Sequence, residues 1–388
     1  MKRYRVGLIG YGGFGQFLHT SWKALPRVEV AAVSDLRLEK APAEGLLFFR
    51  DWRELLSCRD MDIISIVTPP STHGEIACEA MEKGFHVLIE KPLAVTTEEA
   101  RRIIRVRDQS GKRASVNYVM RYNPLLQALR ALAETKSFGP LRRADVENYA
   151  QDSGLPLSHW FWDRQVSGGI LIEHAVHFID FIHTLTDEHP MEVTGAFHER
   201  RQGQETQAMA SVLYDRGLIA THYHHFAYPG FFESTSIRLA FDCAVIDLEG
   251  WIPLKGRLRA LVQSESEKAL SLLPGFVMES RLRIDEADDL SRPMGWGKGE
   301  EGSSPRGLHS FGNHYDATHM VTATFGLSES KGEVYSASVA RAMDDLIASI
   351  DDPRHKSTVT LEDGLSSLEI AERATLAGHR SDPCTCRD

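Results

Sequence analysis

A glycine-rich turn near the start of the chain has the spacing of a phosphate-binding loop. The run at residues 10–15, GYGGFG, matches the pattern G-x-G-x-x-G and stands between an apolar strand-like run and a helical pattern. Glycines at these positions let the backbone approach a pyrophosphate, whose negative charge is favoured at a helix N-terminus. The sequence therefore predicts a dinucleotide site in which the cofactor contacts Gly10, Gly12, Gly13, Phe14 and Gly15.

The second strand-like run ends at a carboxylate that is twenty residues beyond the last glycine of this loop. Asp35 at this spacing would accept hydrogen bonds from the ribose hydroxyls and repel a 2′-phosphate, which favours NAD. Arg37 could instead turn toward such a phosphate, so NADP stays open as the alternative cofactor.

Two further polar segments follow strand-like runs and are expected in the same crevice. Residues 68–73, TPPSTH, follow the third run, and Glu90-Lys91-Pro92 ends the fourth. Ligands of open α/β sheets bind outside the carboxyl ends of the strands, which places Lys91 within reach of a substrate. The TPPSTH segment is also typical of a rigid turn with an N-cap. Further cofactor contacts are predicted for Thr68, Pro69, His73, Glu90, Lys91 and Asn117.

Alternating strand and helix patterns must position these segments. The strand-like runs of the first 120 residues are almost continuously apolar, which is typical of parallel strands covered on both faces. Strands are predicted at residues 6–9, 28–33, 63–67, 85–89 and 114–119, and helices at 14–24, 74–83 and 97–109. A capping box, Thr96 with Glu99, begins the last helix, and Gly111 follows it. This repetition predicts an N-terminal Rossmann domain, a doubly wound parallel sheet, over residues 1–122.

Beyond residue 122 the pattern changes to longer strand-like stretches. They predict a C-terminal α/β domain with an open, mainly antiparallel sheet over residues 123–388. Its strands are predicted at residues 141–149, 192–197, 209–214, 218–226, 236–241 and 244–248, and its closing helices at 334–350 and 361–377. Gly378 is predicted to stop the last helix. The charged segment 255–312, rich in Gly, Ser and Pro, is interpreted as an insertion of loops and short elements.

Composition limits the partners of the chain. Its 388 residues, 42% of them hydrophobic, are enough to bury two cores, and a net charge of −10 leaves no basic face for nucleic acid. No run of 18 apolar residues predicts a membrane span, and the first glycines interrupt the apolar run too early for a signal peptide. Five scattered cysteines suit a reducing cytoplasm. Cys384 and Cys386 lack a second cysteine pair that would complete a metal site.

The combined motifs resemble the Gfo/Idh/MocA oxidoreductases, named for glucose-fructose oxidoreductase, inositol dehydrogenase and a rhizopine catabolism protein. The resemblance rests on the glycine-rich loop, the TPPSTH and Glu-Lys-Pro segments, residues 121–124, and the pattern G-G-x-x-x-E-x-x-x-H-x-x-D at residues 168–180. It continues to the closing helices and covers most of the chain apart from about residues 255–312. It implies hydride transfer between NAD(P) and a hydroxyl-bearing carbon of a sugar, a sugar derivative or a cyclitol.

By position, the resemblance implies that Lys91 holds the reacting oxygen and that His177 is the acid/base. Hydride removal from a carbinol requires such a base, and a neighbouring ammonium stabilises the developing charge on oxygen. Where the family usually has Asp, this chain has Glu173. Four residues before His177 on a helix, it is expected to orient or charge the imidazole, with its carboxylate displaced by the extra methylene. A cis peptide between Lys91 and Pro92 is also expected.

Aromatic, cationic and imidazole side chains near these motifs suit a polyol pocket. Substrate contacts are predicted for Arg121, Tyr122, Trp160, Trp162, Arg164 and His174. For the residues around Trp160, packing at a domain junction is an equally good interpretation. The 17 histidines also raise the possibility of a metal site, with candidates at Glu173, His174, His177, His222, His224, His314 and His319. Because adjacent residues on a helix point apart, no metal is predicted.

Two alternative functions stay open. An enzyme that holds NAD tightly for transient oxidation, while it cleaves a glycoside or epimerises a sugar, would release no reduced nicotinamide. A non-catalytic dinucleotide sensor would need neither Lys91 nor His177. The resemblance also implies pairing through the exposed face of the second sheet, and hence a homodimer or homotetramer.

Overall fold

The computed structural model describes residues 2–37, 39, 45–201, 203–284 and 308–380. The Cys384 and Cys386 tail and part of the 255–312 segment lie outside the described residues.

Within those ranges, the first sheet has six strands, all paired in parallel. They are β1 (Tyr4–Ile9), β2 (Val28–Ser34), β3 (Leu47–Phe49), β4 (Ile63–Ile66), β5 (His86–Ile89) and β6 (Ala114–Val116). Their order, β3-β2-β1-β4-β5-β6, reverses direction between β1 and β4, which is the ligand-binding switch point of a doubly wound sheet. The predicted Rossmann fold is confirmed. Short β3 and α2 (Trp52–Leu55) carry too weak a pattern to have been predicted.

Helices flank this sheet where the apolar periodicity predicted them. They are α1 (Gly13–Trp22), α3 (His73–Glu82) and α4 (Thr97–Ser110). Thr96 caps α4 by accepting a hydrogen bond from the Glu99 backbone N–H, and Gly111 ends that helix with φ 66°. Single 3₁₀ turns connect further elements at Pro70–Thr72, Val119–Tyr122, Trp160–Trp162, Gly230–Phe232 and Leu270–Leu272.

The second sheet has nine strands among the described residues, in the order β14-β17-β13-β12-β11-β7-β10-β9-β8. They are β7 (Leu141–Ala150), β8 (Pro190–Arg201), β9 (Gln204–Tyr214), β10 (Ile219–Phe226), β11 (Ser234–Phe241), β12 (Ala244–Glu249), β13 (Lys255–Val262), β14 (Val277–Arg283) and β17 (His319–Gly326). β15 (His309–Ser310) and β16 (Asn313–His314) form a separate pair. Among the nine strands of the described ranges, only β7 and β10 pair in parallel, so the predicted open, mainly antiparallel sheet is confirmed.

The interpretation of residues 255–312 as an insertion of loops is wrong at its start. β13 lies inside the sheet, between β12 and β17. Its buried Leu258, Ala260 and Val262 alternate with the exposed or half-buried Arg257, Arg259 and Leu261. This period of two is that of a strand with one buried face, and its arginines made a strand look like a charged loop.

The remaining helices are α5 (Pro124–Glu134), α6 (Arg164–Ser167), α7 (Val176–His183), α8 (Ser264–Ala269), α9 (Lys331–Asp351) and α10 (Leu361–Arg380), with a π-helical turn at Leu171–Ala175 before α7. The prediction that Gly378 stops the last helix is wrong, because α10 continues past it. A Cβ at Gly378 would collide with the ring of Phe197 on β8, so the glycine permits close helix packing on the sheet.

Helix α9 returns to the first sheet. Its Val339, Met343 and Leu346 share a hydrophobic core with Leu8 and Trp22, and the Trp22 indole N–H donates to the Val339 carbonyl at 3.1 Å. A segment of the predicted second domain therefore covers one face of the first sheet. The division into residues 1–122 and 123–388 stays a prediction.

None of the helices in the described part of the chain is long and apolar enough to cross a membrane.

Candidate active site

The glycine-rich loop forms a cradle at the carboxyl end of β1. Gly10 has φ 95°, and a Cβ at Gly10 or Gly15 would collide with neighbouring backbone. A Cβ at Gly13, by contrast, would meet nothing within 4 Å. Gly12 provides no side-chain cap for α1, so the first N–H groups of this helix, including that of Phe14, are left for an anion. These features fit a dinucleotide diphosphate.

Asp35 lies at the end of β2, beside this cradle. Its Oδ2 accepts a hydrogen bond from the Tyr11 backbone N–H at 2.9 Å, and the Arg37 guanidinium donates to both carboxylate oxygens at 3.2 Å. Burial raises the pKa of Asp35, but hydrogen bonds from Arg37 and Tyr11 outweigh it and the net pKa is lowered. The Arg37 side chain is 77% exposed, so it is free to leave the carboxylate.

His73 joins the loops that follow β4 and β5. Its ring is fully buried, with Nδ1 2.8 Å from the Pro92 carbonyl oxygen and Nε2 2.9 Å from that of Thr68. Thr72 donates its hydroxyl to that of Thr68 at 2.6 Å, which tightens the turn after Pro69. The predicted cofactor contact of His73 is therefore wrong for its side chain, because its ring holds the two loops together and has no open face.

Glu90 and Asn117 meet where β5 and β6 end. The Asn117 side-chain amide donates to Glu90 Oε1, and Asn117 Oδ1 is buried with no hydrogen-bond partner among the described residues. Burial raises the pKa of Glu90 to about 7, although Asn117 and Lys91 act in the opposite direction. The pair offers the crevice an unused amide acceptor and a carboxyl group that can carry a proton near neutral pH.

Lys91 is held by Glu173. Its Nζ donates to Glu173 Oε1 at 2.6 Å and to the Glu173 carbonyl oxygen at 2.8 Å. The side chains are only 16% and 13% exposed. Burial raises the pKa of Glu173, but the charge of Lys91, that of His174 and the hydrogen bond from Lys91 outweigh burial, so the pKa is lowered. The expected cis peptide between Lys91 and Pro92 is confirmed.

The prediction that Glu173 orients His177 is wrong, because the Glu173 carboxylate turns to Lys91 instead. Glu173 lies in the π-helical turn Leu171–Ala175, which precedes the regular helix α7 that carries His177. His177 Nδ1 is accordingly buried without a hydrogen-bond partner in the described ranges.

His177 is an enclosed, neutral imidazole. It is 3% exposed, with ring centroids of Trp251 at 5.0 Å and Tyr118 at 5.8 Å. Burial lowers the pKa of His177 well below its ordinary value, and the charge of Lys91 lowers it further. The structure therefore brings Lys91 and His177 into one electrostatic neighbourhood, where an unprotonated base stands near an ammonium.

Residues 4–118 match a family model described as oxidoreductase family, NAD-binding Rossmann fold, and residues 126–240 match the GFO/IDH/MocA C-terminal domain. The chain belongs to the GFO/IDH/MocA oxidoreductases. It is 30% identical over 194 residues to the rhizopine catabolism protein MocA of Rhizobium meliloti, which is 49% of this chain and 59% of that protein. The chain thus spans about three fifths of the length of that relative.

A second relative matches more of the chain. The 1-carboxy-3-chloro-3,4-dihydroxycyclohexa-1,5-diene dehydrogenase of Comamonas testosteroni is 24% identical over 340 residues, 83% of this chain and 77% of that protein. Among solved structures, the WlbA dehydrogenase of Bordetella pertussis, in complex with NADH and UDP-GlcNAcA, aligns with a TM-score of 0.70 at 16% identity. That alignment covers 97% of this chain and 96% of the other, and at this identity it shows the fold.

In this GFO/IDH/MocA protein, Arg121 and Tyr122 are structural. The Arg121 guanidinium donates to both carboxylate oxygens of Asp180 at 2.8 and 2.7 Å and to Asp363 at 2.8 Å. The Tyr122 hydroxyl donates to Asp345 at 2.9 Å. The predicted substrate contacts of this pair are wrong for the described arrangement, since their polar atoms bind α7, α9 and α10 together.

The other predicted substrate residues divide between packing and the crevice. The Trp162 indole is buried and donates to the Leu155 carbonyl at 3.1 Å, which favours the packing interpretation. Trp160 is only partly buried and lies beside His159, with ring centroids 5.2 Å apart. Burial lowers the pKa of His159, the charge of Glu173 raises it, and the charge of Arg37 lowers it. Because both of these charged groups act on His159, this segment lies beside the crevice.

Arg164 and His174 are both half-buried. Arg164 Nη1 is 3.4 Å from His379 Nδ1, while its Nε is buried with no hydrogen-bond partner in the described part of the chain. His174 packs against Phe226, with ring centroids 4.9 Å apart. Substrate contacts by Trp160, Arg164 and the half-buried His174 stay predictions.

Two site residues were missed by sequence reasoning. Trp251, between β12 and β13, covers the His177 ring. Glu205 on β9 accepts a hydrogen bond from the Ile170 backbone N–H at 2.8 Å and so anchors the start of the π-helical turn. Neither carries a local motif. Across the described residues, no three His, Cys, Asp or Glu side chains are arranged to hold a metal ion.

Proposed function

We propose that this protein is an NAD(P)-dependent dehydrogenase that moves hydride between the nicotinamide and a hydroxyl-bearing carbon of a sugar, a sugar derivative or a cyclitol. The observation that carries the proposal is the Lys91 ammonium, held by Glu173 beside the neutral His177. Lys91 follows β5 and the glycine cradle follows β1, so both lie at the carboxyl edge of the first sheet, and the charge of Lys91 acts on His177 of α7. The names of the relatives support the substrate class, since one oxidises a cyclic diol and another is bound to NADH and a nucleotide sugar.

Lys91 keeps one donor for the substrate. An ammonium has three N–H donors, and two of them are used by the Oε1 and carbonyl oxygens of Glu173. The third N–H is left for the oxygen of the reacting carbon. As hydride leaves that carbon, this fixed positive charge stabilises the oxygen on which negative charge develops.

His177 acts as the general base in the oxidation. Its neutral ring accepts the hydroxyl proton, and the same ring returns a proton in the reduction. Because Nδ1 is buried, Nε2 is the nitrogen assigned to the substrate. A bound nicotinamide supplies the hydride acceptor, while the chain orients the substrate and moves the proton.

NAD is the proposed cofactor, with NADP as the alternative. The Asp35 carboxylate is suited to the ribose hydroxyls once Arg37 moves aside, and the same movement would let Arg37 meet a 2′-phosphate. Titration of the protein with NADH and NADPH, followed by nicotinamide fluorescence, separates the two.

The function is tested by incubating the protein with NAD or NADP and a panel of sugars, sugar derivatives and cyclitols, with reduced-nicotinamide absorbance as the readout. At least one polyol is expected to give net reduced cofactor, and Lys91→Ala is expected to abolish it. Lys83→Ala is the matched control, because Lys83 pairs with Glu79 on the exposed face of α3. Sugar conversion without net reduced cofactor would favour the transient-oxidation alternative, and cofactor binding with no chemistry would favour the sensor.

A further inference from the structure

Five histidines form a buried polar seam between the active-site helix and the second sheet. We call the histidine seam the set His174, His177, His183, His222 and His224. Three lie on the helical segment that ends with α7, and two lie on β10. Seven of their ring nitrogens are buried with no hydrogen-bond partner in the described residues. Buried polar atoms are nearly always bonded, so this concentration implies a partner such as water or an ion.

The histidine seam is continuous from His177 inward. Ring centroids are 6.4 Å apart between His177 and His174, 5.3 Å between His174 and His224, and 6.5 Å between His224 and His222. His183 in turn is near enough to His222 to lower its pKa. Seven of the ring nitrogens in this series have no direct hydrogen bond in the described residues, and a single water can bridge neighbouring polar groups.

The strands around the seam present small side chains and a further polar partner. On β9, the residues paired with His222 and His224 are the small Ala210 and Ala208. On β7, Asn148 is paired with His224 and its side-chain N–H group is buried without an acceptor. Internal waters typically bond to buried polar groups that lack other partners, as these do. A metal ion does not fit, because no three ligands converge within the described ranges.

The seam stays neutral around pH 7. Burial is the largest cause of the pKa shift of each ring. The pKa of His222 is lowered to about 3, and those of His174 and His183 are lowered to about 4. The charged groups that act on the seam are Lys91, Glu173, Asp145, Arg121 and Asp363. A neutral imidazole has one donor and one acceptor nitrogen, so it can take a proton on one side and release another on the opposite side.

We propose that ordered waters fill the histidine seam and that the seam carries the proton released at His177 to the surface beside His183. The proposal rests on the dehydrogenase function. Oxidation of one carbinol sends a hydride to the nicotinamide and a proton to His177 Nε2. His177 then releases a proton from Nδ1 into the seam, and one proton leaves at His183. Each ring is left as its other tautomer, and reorientation of the rings and waters restores the starting state before the next turnover.

A proton path is needed because His177 is enclosed. His177 is only 3% exposed and is covered by Trp251 and Tyr118. His183, by contrast, is partly exposed, and its Nδ1 is 3.3 Å from the Ser366 hydroxyl. The neighbouring Phe181 and Thr184 line a surface cavity of about 160 Å³. The inward route therefore connects the enclosed base to solvent.

The first test is a high-resolution crystal structure of the full-length protein. Ordered waters are expected within hydrogen-bond distance of the ring nitrogens of His222 and His224. A dry seam overturns the proposal, whatever the substrate of the enzyme.

The second test is kinetic and uses His222→Gln, which keeps a polar side chain but cannot exchange protons between two ring nitrogens. With a polyol that the wild-type enzyme oxidises, a pH-indicator dye follows proton release in a single turnover. Release is expected to slow at least about tenfold, with a larger solvent deuterium isotope effect on kcat and unchanged NADH binding. His225→Gln is the matched control, because His225 is the partly exposed neighbour that faces the other side of the same strand.

The outcomes are distinguishable. Proton release in a folded His222→Gln at the wild-type rate overturns the relay. If circular dichroism shows that this variant does not fold, the water positions of the first test decide. A wild-type enzyme that oxidises no polyol would count against the dehydrogenase function, and the crystal structure would still test the seam.

Discussion

Lys91 and Glu173 are 82 positions apart in the chain, yet the ammonium of one donates to both the side chain and the backbone carbonyl of the other. This double contact fixes the cation against the first residues of the active-site helix. Because the pair is largely shielded from water, its attraction is screened less than that of a surface ion pair. The Glu173 carboxylate thus fixes the position of the Lys91 ammonium in the site.

Replacing this carboxylate by an amide is expected to impair catalysis more than cofactor binding. Glu173→Gln keeps the shape of the side chain but removes the charge that holds Lys91, so kcat for polyol oxidation should fall about ten- to a hundredfold. The dissociation constant of NADH, measured by fluorescence, should change little. The control is Glu79→Gln, which removes a carboxylate that pairs with Lys83 at the surface. Equal kcat values for Glu173→Gln and the wild type would contradict the assigned role.

The lowered pKa of His177 predicts the pH profile of oxidation. Its unprotonated base form is present at pH 7 and is lost only as pH falls through the lowered value, so the acid limb of kcat/KM should lie well below the ordinary 6.5. Burial raises the pKa of Glu90 to about 7, so this carboxyl group also titrates in the measured range. The pH profile is therefore recorded in a Glu90→Gln background, and its acid limb is then assigned to His177.

The variant that tests His177 as the base is His177→Gln, which should lower kcat/KM for oxidation by about 10²- to 10⁴-fold. His189→Gln, at an exposed position, is the control. An acid limb that stays above pH 6.5 in the Glu90→Gln background would show that His177 is not the base.

Glu205 is expected to make stability fall as pH rises. Burial raises the pKa of Glu205 from 4.5 to about 7, although the Ile170 N–H and Arg164 act in the opposite direction. Between these values the folded state keeps a proton that the unfolded state has released, so the free energy of unfolding decreases with pH across this window. The decrease from this one group is about 2–3 kcal/mol at most.

Urea unfolding at pH 5 and pH 8 measures this effect. Glu205→Gln should flatten the pH dependence, whereas Glu192→Gln, at an exposed position on the neighbouring β8, should leave it as in the wild type. An unchanged slope in Glu205→Gln would mean that this carboxyl is already ionised in the folded protein at pH 5.

Asp35 and Arg37 should set the choice between cofactors. Asp35→Ser removes the carboxylate that repels a 2′-phosphate and frees the guanidinium now bound to it, so the ratio of NADPH to NADH affinity should rise about tenfold. Arg37→Ala should lower NADPH affinity and leave NADH binding nearly unchanged. Fluorescence titration measures both, and a ratio that does not change in Asp35→Ser would remove this residue from the ribose site.

The outer face of the second sheet is proposed as the surface of a homodimer or homotetramer. Leu213 and Ile219, neighbours across β9 and β10, are 37% and 40% exposed, with Met209 on the same face. Exposed apolar side chains clustered on a sheet are typical of such interfaces. Light scattering should show an oligomer for the wild type and a monomer for Leu213→Lys. Leu376→Lys on α10 is the control, and a monomeric wild type would contradict the proposal.

Much of the fold was predictable because it follows from local periodicity. The parallel strands of the first sheet are nearly all apolar, and the helices between them have clear amphipathic patterns and caps, so their order could be derived residue by residue. β13 was missed because its arginines occupy the exposed positions of a strand whose partners come from elsewhere in the chain. The extension of α10 past Gly378 depends on Phe197, more than 180 residues earlier, which no local pattern shows.

The position of the crevice was determined by the sequence alone. The glycine loop, Asp35, TPPSTH and Glu90-Lys91-Pro92 each follow a strand, and parallel strands present their carboxyl ends at one edge of the sheet. Tertiary structure decided how the side chains pair there: Glu173 with Lys91, Arg121 with Asp180, and Trp251 over His177. The physical reason is the separation along the chain over which each interaction acts. Strand and turn preferences act between neighbours in the chain, whereas a charge or a ring finds its partner only after the π-helical turn and the second sheet have brought distant residues together.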